Sequence, residues 1–121
     1  MKKYFIFILL LSVLLLNAVD KKKTGWEESG LKGKVKEHTV IKYKFTEKFG
    51  IMEKEQTSKF IYKYDDKGNM TESAEYGGYW LESKHIWKYD DKGNNTERAE
   101  YNSDGSLDSK NIWKYDDKGN M

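Results

Sequence analysis

Three pairs of aspartates, Asp65-Asp66, Asp90-Asp91 and Asp116-Asp117, come nearest in type and spacing to residues that do chemistry. Neighbouring carboxylates offer hard oxygen ligands to calcium, which gathers several around one ion. Each pair sits in a short Asp-Asp-Lys-Gly-Asn segment without the spaced bidentate Glu of an EF-hand. A turn explains the same residues more simply. Asp66 and Lys67 suit the centre of a type I turn, Gly68 suits the positive-φ position behind it, and the Asp65 carboxylate can accept N–H groups inside the turn. No metal and no cofactor is expected.

Aromatic side chains are the second candidate. Trp80, Tyr79 and Trp87 offer flat faces for stacking on sugar rings, and Trp80, beside Gly77 and Gly78, is the one expected to be exposed. The competing use is core packing, since the chain has many rings and few aliphatics after its first residues. Catalysis has little to stand on. His38 and His85 are the only histidines, neither is spaced to a triad or metal partner, and there is no cysteine to act as a nucleophile. The chain reads as a non-enzyme. Asn69-Met70-Thr71 and Asn94-Asn95-Thr96 match a glycosylation acceptor pattern and read as by-products of turn asparagines.

The elements that would position these residues come from an internal repeat. Ile61-Tyr62-Lys63-Tyr64-Asp65-Asp66-Lys67-Gly68-Asn69 returns at Ile86–Asn94 and again at Ile112–Asn120. Thr71–Tyr76 matches Thr96–Tyr101 in the same way. The second interval is one residue longer than the first, and the extra residue falls where Gly77–Trp80 is replaced by Asn102–Ser106. Length change confined to a turn fits repeated hairpins, because paired strands do not tolerate insertion. Along Leu81–Tyr89, Leu81, Ser83, His85, Trp87 and Tyr89 alternate with Glu82, Lys84, Ile86 and Lys88. That period of two predicts an all-β fold of antiparallel hairpins in a one-sided or curved sheet, with one buried aromatic face and one charged face. Small Ala74 and Ala99 are expected to make room for neighbouring rings.

The ends of the chain carry weaker patterns. Lys2 and Lys3 precede an apolar run from Tyr4 to Leu16, which is shorter than the about 20 residues of a membrane-spanning helix. Residues 1–18 read as an export signal cut after Ala18, with contact to a membrane only if that segment stays uncleaved. Those two lysines account for the surplus of 22 basic over 20 acidic side chains, so the remainder is balanced and lacks the basic excess of a nucleic-acid binder. Residues 19–30 read as a flexible lead, 31–60 as a degenerate first repeat or cap, and 61–121 as the repeats proper. The last copy halts after its turn, as a fragment of a longer array would.

The core Tyr-Asp-x-x-Gly-Asn recurs as Tyr64, Asp65, Gly68, Asn69, then Tyr89, Asp90, Gly93, Asn94, then Tyr115, Asp116, Gly119, Asn120. It resembles the YD repeats of the RHS family. The resemblance implies an exported β-repeat protein, in the periplasm, at the cell surface or secreted, with a structural or protein-interaction role. It also leaves open a carbohydrate-binding module of the cell envelope or a piece of a toxin-delivery shell. The partner expected is an unidentified protein or glycan, and no nucleic acid.

Overall fold

The computed structural model of the protein describes residues 23–121; the expected export segment lies outside the described residues. The chain folds into one open antiparallel sheet with its six strands in sequence order. They are β1 (Glu37–Lys48), β2 (Ile51–Tyr64), β3 (Met70–Gly77), β4 (Trp80–Tyr89), β5 (Asn95–Tyr101) and β6 (Leu107–Ile112). One helical turn, α1 (Gly25–Glu28), precedes them.

Turn chemistry sets each hairpin. At Asp65–Asn69 the Gly68 amide donates to the Asp65 carbonyl at 3.1 Å, and the Asp65 amide donates to the Asn69 carbonyl at 3.0 Å. Gly68 takes φ +88°, which a β-carbon resists. A bulge follows, where the register shifts between Lys63 and Tyr64, and the shift between Lys88 and Tyr89 repeats it. At the opposite ends of the strands, shifts beside Tyr76 and Tyr101 make a second matching pair. Each bulge adds local twist. The extra residue of the second interval stays inside a turn, since Glu72 pairs with Ile86 and Glu97 with Ile112 in corresponding places.

The first hairpin is longer than the others. β2 begins at Ile51, and β3 leaves it at the Ser58–Gly77 pair. The Tyr43–Gln56 stretch therefore projects past the rest of the sheet. Phe49 and Gly50 close it with φ +53° and +76°, the two positive values of a type I′ turn.

Three features differ from the sequence reading. The aromatic face is not buried: Tyr64, Ala74 and Ala99 are the buried apolar residues, and Trp87 is half-buried. A single layer has no second layer to pack on, so each side chain is covered only by its neighbours across the strands. Ala74 and Ala99 do not accommodate rings; their cross-strand neighbours are Ile61 and Lys84, and Ile86 and Lys110. Finally, the lead is folded over part of its length. Thr24 and Glu27 form a reciprocal capping box, and Trp26 Nε1 donates to the Val35 carbonyl at 2.5 Å. The Trp26 ring lies on Gly68, so closely that a β-carbon there would meet its Cε3 at 2.6 Å.

Candidate interaction surfaces

The aspartates of the repeat act inward, on their own turns. Asp65 Oδ1 accepts the amides of Lys67 and Asn69, each at 2.9 Å, while Oδ2 accepts the Asn69 side chain at 2.9 Å. Asp90 with Asn94, and Asp116 with Asn120, repeat all three bonds. Asn94, through side chain and backbone, holds the Asp90 carboxyl below its ordinary range; the Asn120 backbone and side chain do the same for Asp116. Both oxygens of each leading aspartate are thus engaged by donors that favour the charged form. Among the described residues no cluster of three or more metal-ligating side chains forms.

The turns also hold one another. Lys67 Nζ donates to the Asp91 carbonyl at 3.0 Å, and Lys92 Nζ donates to the Asp117 carbonyl at 3.0 Å. Lys36 approaches Asp66 at 3.7 Å on the leading side. The repeat tyrosines pack beneath this row. The Tyr64 hydroxyl lies 3.0 Å from Ser29 Oγ, and Tyr89 donates its hydroxyl hydrogen to the Met70 carbonyl at 2.8 Å. Burial, with help from the Asp65 and Glu28 carboxylates, raises the pKa of the Tyr89 phenol. Tyr115 is partly covered.

One face carries charge clamps at repeat spacing. Glu72 sits between Lys63 at 3.0 Å and Lys84 at 3.6 Å; Glu97 sits between Lys88 at 3.1 Å and Lys110 at 3.0 Å. Hydrogen bonding to Glu72 raises the Lys63 pKa, and bonds from Lys110 and then Lys88 lower that of Glu97. The opposite face carries the ring pairs His38–Tyr62 and His85–Trp87, each 5.7 Å between centroids. A shallow trough of about 200 Å³ lies there, over Ser73 and between Tyr62 and His85.

The candidate stacking residues do not form one platform. Tyr79 and Trp80 are 87% and 81% exposed in the β3–β4 turn. Trp87 is about 23 Å further along the same strand at the usual rise. The sequence reading missed a larger feature beside Tyr79 and Trp80. Tyr43, Phe45, Phe49, Ile51 and Met52 are all exposed on the projecting hairpin. The base of that hairpin is tied to the β3–β4 turn by Gln56 Nε2 donating to the Gly78 carbonyl at 2.9 Å and the Gly78 amide donating to the Thr57 carbonyl at 3.0 Å. Its signal was present in Phe49-Gly50, a bulky residue before glycine at a tight turn.

No family model, curated protein or solved structure matches the chain.

Proposed function

We propose that this is an exported, non-catalytic β-repeat scaffold of the RHS/YD-repeat type, which works by presenting an edge and the projecting end of its sheet to a protein partner. One observation carries the reading. The exposed large apolar residues fall on the β1–β2 hairpin, at the β3–β4 turn, on β6 and at Met121, leaving the centre of the sheet without any. Apolar side chains gathered at the free margins of a sheet, between polar neighbours, mark surfaces that other chains cover. The recurrent Asp-to-Asn turn lock supports the family part of the proposal, and the apolar run from Tyr4 to Leu16 supports export.

A carbohydrate-binding role is the second reading, favoured by the adjacent, nearly bare rings of Tyr79 and Trp80. The two readings separate in one experiment. The purified protein is immobilised and offered cell-envelope extract, and in parallel screened against a glycan array with tryptophan fluorescence. The scaffold reading expects a specific protein to be retained, lost with Phe49→Asp in a variant of unchanged β-sheet circular dichroism, and a silent array. Saturable sugar binding that disappears in Trp80→Ala would replace it with the second reading.

A further inference from the structure

We propose that the protein assembles head to tail with further copies of itself, the outer edge of β1 in one copy pairing antiparallel with the outer edge of β6 in another. The inference rests on the scaffold reading above and names the partner as a second copy of this chain.

Direction permits it. Six strands in sequence order leave β1 and β6 running oppositely, so a copy displaced along the sheet sets its β1 antiparallel to β6 without rotation. Side chains permit it as well. Against the strand that follows, Glu72 faces Ile86 and Ala74 faces Lys84; Glu97 faces Ile112 and Ala99 faces Lys110. Thr39 faces Ile61 and Ile41 faces Lys59 in the same order, so β1 is a strand of the same kind as β3 and β5. Against the strand that precedes them, β3 and β5 set Ala74 on Ile61 and Ala99 on Ile86, with Tyr76 on Lys59 and Tyr101 on Lys84. That register carried to the outer edge of β6 sets the second copy's Ile41 on Ile112 and the second copy's Tyr43 on Lys110.

The exposed groups then find cover. Ile112 is 64% exposed and Ile41 38%, whereas Ala99, at the corresponding inner place, is 2% exposed. The turn row gives charge complementarity. Lys67 reaches the Asp91 carbonyl and Lys92 the Asp117 carbonyl; in the joined sheet Lys118 stands in the same relation to the second copy's Asp66. The contact joins two different edges, so it propagates as an open chain rather than closing as a two-fold dimer.

The chain has no cysteine, which makes the register directly testable. Directly opposed residues in an antiparallel pair lie roughly 4.5–5.5 Å apart at Cα, within disulfide reach. Ile41→Cys and Ile112→Cys are made separately, mixed and mildly oxidised, with Phe49→Cys as an exposed control. The expected result is a mixed Ile41→Cys/Ile112→Cys disulfide well above either self-pairing or pairing with the control. In the unsubstituted protein, the mass-average molar mass from sedimentation should climb with concentration beyond a dimer. Ile112→Lys should move that climb to roughly tenfold higher concentration. A mass that stays monomeric, a plateau at the dimer, or preferential Ile112→Cys self-pairing would overturn the proposal. Phe49→Asp should leave the mass profile unchanged, so loss of partner capture in that variant tests the scaffold reading separately.

Discussion

Lys67 Nζ donates to the main-chain carbonyl of Asp91 at 3.0 Å, joining two turns that are one repeat apart. Lys92 and Asp117 make the same contact. The strands already fix these turns, so the bonds trim local motion and contribute little to global stability. Lys67→Met should change the unfolding free energy by less than about 0.5 kcal/mol, as exposed charged contacts usually do. Hydrogen exchange at the β4–β5 turn amides should nevertheless accelerate in that variant. Unchanged exchange would mean the contact is incidental.

Gly68 and Gly119 hold the same conformation in unlike surroundings. Their φ values are +88° and +83°. A β-carbon at Gly68 runs into the Trp26 ring, whereas one at Gly119 meets nothing within 4 Å. Gly119→Ala should therefore cost only the conformational strain, about 1 kcal/mol. Gly68→Ala should cost more, because Trp26 must also leave its place. Paired urea titrations of the two variants decide this, and equal losses would show that Trp26 adds nothing to the turn.

Phe49 is the one non-glycine residue with positive φ among the described residues, at +53°. A bulky residue pays for that conformation without burial in return, since its side chain is fully exposed. Phe49→Asn should raise the unfolding free energy by about 0.5–1 kcal/mol, because asparagine tolerates the left-handed region. It should at the same time weaken partner capture. A thermal melt and a binding assay on one variant test both halves.

Acid should loosen the repeat turns in a defined direction. Asp90 and Asp116 are held below the ordinary value of 3.8 by their asparagine and backbone donors. A depressed folded value means the stabilisation is fully present above the unfolded pKa and is lost as pH falls through the folded one. Both carboxyls face solvent, so the loss is modest. Stability should be flat from neutral pH down to about 4.5 with respect to these groups and decline below their ordinary value. Asp90→Asn should flatten part of that decline in pH-dependent urea midpoints. An unaltered acid limb would exclude Asp90 as a contributor.

Local chemistry was legible from the residues alone. Period-2 alternation announced strands, the Asp-Asp-Lys-Gly-Asn segments announced turns with glycine behind them, and the one-residue length change announced hairpins. These depend on neighbours a few positions apart, and the turn locks at Asp65, Asp90 and Asp116 close within that range. Trp26 on Gly68 and the projection of β1 and β2 past β3 depend on contacts distant in the chain, which alternation does not encode. The Thr24-x-x-Glu27 spacing carried the capping box but not where α1 would dock.

The sequence by itself determined an antiparallel β-repeat with its turn positions, because turn residues and alternation act through local sterics and hydrogen bonds. Only the tertiary structure decided that the sheet stays a single open layer. Burial is a property of what lies above and below a strand, and the same alternating pattern serves a covered face or a bare one. That is why Trp87 is half-covered, Ala99 is buried between Ile86 and Lys110, and the large apolar side chains gather at the margins.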